Sequence, residues 1–155
     1  MTKTDRSPKP EEALNLDIFL CFAIYSAGHA LNRVYKPLLD ELGLTYPQYL
    51  VMVLLWQTDN QTVGSLGEKL FLESSTLTPL LKRLEALGHL QRNRDASDER
   101  QVRVRLTKTG RALRAKALPI PACINDASGL KPEDLRRLQT EIRILRNTLE
   151  SYHGK

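Results

Sequence analysis

The sequence predicts a mainly α-helical protein with one small β-ribbon, or wing. Apolar residues recur every three or four positions over most of the chain, which is the period of an amphipathic helix. Strict alternation occurs only at residues 101–107, where valine and leucine face one way and glutamine and arginine the other. The ribbon is therefore predicted from strands at residues 89–92 and 101–107, joined by the polar loop 93–100.

Two short helices joined by a tight turn precede this ribbon. Thr62 is placed to cap the first, which runs to Leu70, and residues 71–74 make the turn. The second is predicted over residues 75–87, with Gly88 closing it in a left-handed conformation. Its apolar stripe for the core consists of Leu77, Leu80, Leu81, Leu84 and Leu87. Helix, turn, helix and ribbon in this order predict a winged helix-turn-helix.

Positive charge is concentrated beside this unit. Residues 91–116 contain nine Lys or Arg and three acidic residues, an excess of six, whereas the whole chain has a net charge of +5. A pI near 9.4 favours an anionic partner, but it does not separate DNA from RNA or a membrane surface. The position of the excess charge favours DNA, because the backbone of a duplex would lie against a winged helix-turn-helix there.

The composition is that of one globular domain. A chain of 155 residues with 41% hydrophobic residues is large enough to bury a core. Its two cysteines do not make the framework of a disulfide-rich secreted domain. Residues 1–12 are typical of a loose polar arm and not of a signal peptide, and the apolar run 18–25 is shorter than the ~20 residues of a membrane span. We expect a cytoplasmic protein with reduced thiols and no membrane partner.

The N-terminal part of the chain is predicted to be helical. Residues 14–35 are apolar nearly all round, so this helix should be buried on most sides, in part by a second subunit. Pro37 is expected to start a shorter helix that Gly43 ends. Thr45 and Gln48 form a capping box that opens the next helix.

The C-terminal part is predicted to contain two helices. Thr107 caps the first, prolines break it, and residues 120–129 are expected to be irregular. The second opens at Pro132 and carries a heptad seam of Leu135, Leu138, Ile142, Leu145, Leu149 and Tyr152. This seam either faces the core of one subunit or pairs two subunits, and the first helix, which also needs a partner, favours a homodimer. Within a single domain 1–155, residues 13–44 and 120–155 are thus expected to dimerise, and residues 46–118 to bind DNA.

Two motifs resemble those of the MarR family of winged-helix transcription regulators. They are the run SSTLTPLLKRLEALGHL (74–90) and the wing signature D-x-R-x-x-x-V-x-L-T, which begins at Asp98 and ends at Thr107. The resemblance implies that the second helix enters the major groove, that Arg100 reaches the minor groove and that Asp98 steadies the wing. The implied DNA-binding residues are Ser75, Thr76, Thr78, Pro79, Lys82, Arg83, Asp98 and Arg100. The alternative is an amphipathic helix packed against an exposed hairpin, without a DNA partner.

Cys21 lies in the apolar first helix, where a cysteine is most often an inert small hydrophobe. However, residues 15–118 resemble the organic hydroperoxide resistance regulators within the MarR family, through the runs FLCFAIYSA and NRVYKPLLDELGLTYPQYLVMVLLW. The resemblance implies that Cys21 senses peroxide and that Tyr35 and Tyr46 hydrogen-bond to it, favouring the reactive thiolate. Apolar neighbours, namely Phe19, Phe22 and Tyr25, would form a pocket better suited to an organic hydroperoxide than to hydrogen peroxide.

Cys123 is either a resolving cysteine or a bystander. Some regulators of the resembled subgroup resolve the oxidised cysteine with a second cysteine of the partner subunit, and others use a small thiol. If Cys123 resolves, the two subunits become linked by a disulfide and the repressor leaves its palindromic operator.

Three other functions are weighed against this one. A thiol peroxidase would use Cys21 and Cys123, but no Cys-His-acid arrangement supports turnover, so we expect no enzyme. A MarR-type regulator of a phenolic ligand would leave Cys21 passive. A metal sensor is disfavoured because three scattered histidines and two distant cysteines lack ligand spacing. We therefore expect neither a metal nor a cofactor.

Overall fold

The computed structural model describes residues 9, 10 and 12–154. Its helices are α1 (Leu20–Asp40), α2 (Tyr46–Gln57), α3 (Val63–Leu70), α4 (Ser74–Ala86), α5 (Lys108–Ala117), α6 (Ile120–Ser128) and α7 (Pro132–Glu150). Its strands are β1 (Gln61–Thr62), β2 (Leu90–Arg94) and β3 (Val102–Leu106), and a 3₁₀ turn at Leu16–Ile18 precedes α1. Most of the predicted polar arm at residues 1–12 lies outside the described residues. No helix in the described ranges is long and apolar enough to cross a membrane.

The three strands form one antiparallel sheet in the order β1-β3-β2. Leu90 pairs with Leu106 and Arg94 with Val102, so β2 and β3 make the predicted ribbon. Gln61 pairs with Val104, and this adds β1 as a third strand that was not predicted. A strand of two residues is too short to carry an alternating pattern, so the sequence contains no periodic signal for it.

The core lies between α2, α3, α4 and the sheet. Its fully buried large side chains are Val51, Met52, Leu55, Leu66, Leu77, Leu81, Leu84, Leu90 and Val104. The predicted stripe of α4 is buried as expected except at Leu87, which is 50% exposed. Leu87 is the C-cap residue, beyond the last helical turn, so the helical period no longer directs its side chain inward.

The first long helix differs from its prediction at both ends. It begins at Leu20 and continues through Pro37 to Asp40, so Pro37 does not start a separate helix. A proline inside a helix removes its own N–H donor and crowds the carbonyl four residues earlier, and burial of this end of the helix offsets that cost. Leu39 and Leu42 are buried in the core and hold this end of α1 in place.

Residues 120–128 are helical, although they were predicted to be irregular. Pro119 is the N-cap of α6 and Pro121 occupies its first turn. Backbone N–H groups have no partner within the helix there, so these prolines initiate the helix and do not prevent it. Cys123 consequently lies on a helix, and its thiol is exposed.

The first and last helices expose a wide apolar surface in the single chain. The exposed residues include Leu20, Ile24, Leu31, Leu138, Ile142, Leu149 and Tyr152. Cys21 lies on this surface and is exposed in the single chain, on the helix that was predicted to be covered in part by a second subunit. The seam residues of α7 do not enter a core within the chain, which leaves them free to meet a second subunit.

A close backbone crossing joins the helix-turn-helix to α5. Thr107 caps α5 by accepting a hydrogen bond from Gly110 N–H at 3.0 Å, and the Gly110 carbonyl accepts from Trp56 Nε1 at 2.9 Å. A Cβ atom at position 110 would collide with the backbone carbonyl of His89. Only glycine therefore allows α5 to pass this close to the chain that leaves α4.

We predict that Gly110→Ala lowers the free energy of unfolding by ~1–3 kcal/mol, the usual cost of overpacking a tight site. Thermal and urea unfolding measure the loss. Gly64→Ala is the matched control, because the nearest atom to a Cβ there is Thr62 Oγ1 at 4.0 Å. Equal stability of the two variants would contradict the tight crossing.

Candidate functional site

The polar face of α4 is open to solvent. Its exposed side chains are those of Ser75, Thr76, Pro79, Lys82 and Arg83, and Thr78 is half-buried. Leu77, Leu81 and Leu84 point the opposite way into the core. The predicted contact residues of the second helix therefore share one accessible surface.

The wing lies beside this helix. A groove of about 570 Å³ separates them, and its lining includes Thr62, Ser65, Thr78, Arg92 and Arg100. The side chain of Arg100 is 91% exposed and its Nε donates to Asp98 Oδ1 at 3.1 Å. The structure thus brings the polar face of α4 and the predicted wing arginine to the same side of the protein.

Basic residues of α4 and of the wing region fall into two groups by their contacts. Besides Arg100, which pairs with Asp98, four of them have partners in the fold: Arg92 pairs with Glu85, Arg103 with Asp95, Arg105 with Asn60 and Arg111 with Asp59. In the part of the chain that the structure describes, the side chains of Lys82, Arg83, Arg94 and Lys108 make no hydrogen bond or ion pair. The second group is available for phosphates, whereas the first holds the wing together.

Asp95 is the buried anchor of the wing, and sequence reasoning missed it. Only 6% of its surface is exposed. It accepts hydrogen bonds from Ser97 N–H at 2.7 Å and Ser97 Oγ at 2.6 Å, and Arg103 Nε donates to its second oxygen. The run Asp95-Ala96-Ser97 has the spacing of an Asx-turn, which was the signal available in the sequence.

These donors keep Asp95 ionised. The Ser97 hydroxyl and the Arg103 guanidinium hold the pKa of the Asp95 carboxyl far below its ordinary value. A lowered pKa stabilises the fold at pH values above that of the free side chain, and the stabilisation is lost as pH falls through the folded-state pKa. The wing is therefore fully anchored at neutral pH.

A second carboxylate ties the sheet to α5. Asp59 accepts from Leu106 N–H at 2.9 Å and pairs with Arg111 at 3.1 Å. Burial would raise the pKa of Asp59, but the donors Leu106, Asn60 and Arg111 outweigh it and the pKa is lowered. Asn60, next in the chain, has a left-handed φ of 58° and its carbonyl accepts from Arg103 at 3.0 Å. The structural role of Asp59 and Asn60 was not predicted.

Cys21 lines an apolar groove between the start of α1 and the end of α7. The groove has a volume of about 450 Å³ and its other lining residues are Ile18, Phe19, Leu20, Ile24, Leu145 and Leu149. Phe19 is thus beside the thiol, as the predicted pocket requires. Phe22 and Tyr25 do not line this groove, and the Tyr25 ring packs against His29 with 4.4 Å between centroids.

Tyr35 and Tyr46 pack against each other, with ring centroids 4.7 Å apart, and Tyr49 lies beside them. Burial, with smaller contributions from Tyr46 and Tyr49, raises the pKa of Tyr35 to about 12, and burial also raises the pKa of Tyr46. Both hydroxyls are therefore neutral donors at neutral pH. Tyr35 follows Cys21 by fourteen residues on α1, which is roughly 21 Å along a helix axis. Neither tyrosine reaches the thiol of its own chain.

The model of the "Transcriptional regulator SarA/Rot" family matches residues 33–116, more than half of the chain. The chain belongs to this family of MarR-like winged-helix transcription regulators. The predicted MarR-type fold, with a helix-turn-helix and a wing, is confirmed.

Two curated relatives cover nearly all of the chain. The organic hydroperoxide resistance transcriptional regulator of Bacillus subtilis is 44% identical over 142 residues, which are 92% of this chain and 95% of the relative. The regulator TtmR of Methylorubrum extorquens is 44% identical over 154 residues, 99% of this chain and 77% of the relative. Both are transcriptional regulators.

The regulator AbfR is similar to this chain in several solved states. The structure of AbfR of Staphylococcus epidermidis has a TM-score of 0.73 at 35% identity, covering 91% of this chain and 98% of AbfR. Reduced AbfR bound to DNA gives 0.72 at 34% identity, with coverages of 86% and 93%. The disulfide-formed state gives 0.58 at 36% identity, with coverages of 87% and 95%. The chain is therefore closer in shape to reduced, DNA-bound AbfR than to its disulfide form.

We predict that Asp95→Asn weakens DNA binding several-fold although it removes a negative charge near the DNA. The neutral amide cannot hold Arg103 and the Ser97 turn as the carboxylate does, so the wing loses its anchor. Fluorescence anisotropy with a duplex from the promoter of its own gene measures the affinity. Glu99→Gln changes the same charge in the same loop and should bind as well as, or better than, the parent. A gain in affinity for Asp95→Asn would contradict the anchoring role.

Proposed function

We propose that this protein is a homodimeric repressor that leaves its operator when an organic hydroperoxide oxidises Cys21. The observation that carries the proposal is the exposed thiol of Cys21 in an apolar groove, in a chain 44% identical to an organic hydroperoxide resistance regulator. An apolar wall favours entry of a peroxide with a hydrocarbon substituent over hydrated hydrogen peroxide.

DNA binding is assigned to α4 and the wing. The exposed serine, threonine and basic side chains of α4 suit phosphates and base edges in the major groove. Arg100, at the wing tip, is the residue assigned to the minor groove, where a guanidinium is favoured by the negative potential. Asp98 orients Arg100 through its carboxylate, and Asp95 holds the loop that carries both.

A second copy of the chain is assigned to the apolar surface of α1 and α7. A face of this extent is costly in water, and the same face on another copy would cover it. The tyrosines also require a second copy, because Tyr35 and Tyr46 lie too far from Cys21 of their own chain. An antiparallel pairing of two α1 helices would place the tyrosines of one subunit near the thiol of the other.

The proposed chemistry begins with the Cys21 thiolate. Its sulfur attacks one oxygen of the hydroperoxide, the O–O bond breaks, and the alkoxide takes up a proton and leaves as an alcohol. The sulfur loses two electrons and becomes a sulfenic acid. Neutral tyrosine hydroxyls stabilise the starting thiolate by donating hydrogen bonds to it.

Cys123 is proposed to resolve this intermediate. Its exposed thiol on α6 attacks the sulfenic acid of the other subunit, water leaves, and an intersubunit disulfide forms. The lower similarity of the chain to disulfide-formed AbfR than to the reduced form supports a change of shape between such states. The two winged helix-turn-helix units of the dimer would then no longer match operator half-sites one helical turn apart.

We predict that Cys21→Ser remains bound to its promoter after cumene hydroperoxide, whereas the parent protein is released. A hydroxyl cannot form a sulfenic acid, so no oxidation step remains at this position. A gel shift with and without the oxidant measures release. Release of Cys21→Ser by peroxide would sink the proposal, and release of the parent by an aromatic acid without oxidant would select the phenolic-ligand alternative.

We predict that Cys123→Ser is oxidised at Cys21 but forms no covalent dimer. Non-reducing electrophoresis after treatment should show a dimer band for the parent only, and mass spectrometry should find the sulfenic acid in the variant. A dimer band that persists in Cys123→Ser would mean that Cys123 is a bystander.

A further inference from the structure

Arg146 of α7 lies directly over the turn of the helix-turn-helix. Its guanidinium carbon is 4.1 Å from the centroid of the Phe71 ring, within the range of a cation–π contact. Arg146 Nη2 and Nε donate to the amide oxygen of Asn147 at 3.0 and 3.3 Å, which orients the guanidinium plane. Helix α7 and the helix-turn-helix of one chain are therefore in direct contact.

Phe71 has an unusual backbone conformation. Its φ of 56° and ψ of 41° lie in the left-handed region, which a bulky side chain rarely adopts. It ends α3, and Glu73 two residues later is the N-cap of α4. The Phe71 ring is 49% exposed and is not part of the hydrophobic core. The turn between α3 and α4 sets the direction of α4. Its residue Phe71 is outside the core, and Arg146 contacts it from the solvent side.

The neighbours of Arg146 on α7 face the thiol. Leu145 and Leu149 line the same apolar groove as Cys21. Successive residues of a helix point about 100° apart, so one short stretch of α7 contacts the thiol groove with one side and the Phe71 turn with another. A displacement of α7 at the groove would therefore also move the backbone that carries Arg146.

We propose that Arg146 is a positioning residue for the recognition helix α4. Its contact with Phe71 holds the turn in the DNA-binding conformation, and a shift of α7 after oxidation of Cys21 withdraws that contact. The first statement concerns the reduced protein alone. The second rests on the proposed function, because it assumes that Cys21 is the oxidised residue.

The affinity of the reduced protein for its promoter duplex tests the first statement. Arg146→Ala should bind about two- to fivefold more weakly, which is the contribution of one partly exposed cation–π contact. The dependence of the affinity on salt should not change, because no phosphate contact is lost. Arg143→Ala removes the same charge from an exposed position of α7 and should bind like the parent. Parental affinity in Arg146→Ala, or a salt dependence lower by about one phosphate contact, overturns the positioning role.

A double-mutant cycle separates coupling from a general loss of stability. Phe71→Leu removes the ring, and its loss of affinity should not add to that of Arg146→Ala, since both remove the same contact. Additive losses would overturn the contact as the cause. Thermal unfolding of all variants confirms that each is folded at the temperature of the binding measurement.

Oxidation tests the second statement. The ratio of reduced to oxidised affinity should be two- to fivefold smaller in Arg146→Ala than in the parent, because the contact that oxidation removes is already missing. An unchanged ratio overturns the coupling of α7 to the turn. A parent protein that stays bound after cumene hydroperoxide instead overturns the proposed function, and the affinity results for the reduced protein stand apart from it.

Discussion

The packing of the leucine face of α4 is the constraint on which the other features depend. Leu77, Leu81 and Leu84 are fully buried against α2, α3 and the sheet, so the helix cannot rotate about its axis without exposing them. Burying each such side chain contributes ~1.5–3 kcal/mol. Because that face is fixed inward, the short polar and basic side chains on the opposite face are fixed outward, and the groove to the wing has a defined shape.

Polar interactions then set the position of the wing relative to this helix. The wing has little core of its own, and two carboxylates, Asp59 and Asp95, hold it through arginines on β3 and α5. Several arginines that contribute to the positive charge of the region are therefore structural. All of these arginines contribute to the long-range electrostatic attraction for a polyanion. Direct contacts with phosphates are expected from the basic side chains that have no partner in the fold.

The sequence was sufficient for features that are periodic or capped by local motifs. The α4 stripe, the β3 alternation and the caps at Thr62 and Thr107 each depend on residues a few positions apart, and each was predicted. Features that depend on distant residues were not: the pairing of Gln61 with Val104, the ion pair of Asp95 with Arg103 and the contact of Phe71 with Arg146 have no local pattern. Pro121 was misread because a proline is tolerated in the first turn of a helix, and Pro37 because burial of the end of α1 outweighs the local cost of a proline inside a helix.

Trp56 is the one tryptophan of the chain, and its indole N–H donates to the Gly110 carbonyl where α5 leaves the wing. The indole ring of Trp56, on α2, therefore lies at the contact with the start of α5, the helix that leads to α6 and α7. Indole emission responds to the loss of a hydrogen bond and to the entry of water. Intrinsic tryptophan fluorescence should therefore follow movement of α5 relative to α2 without an attached dye.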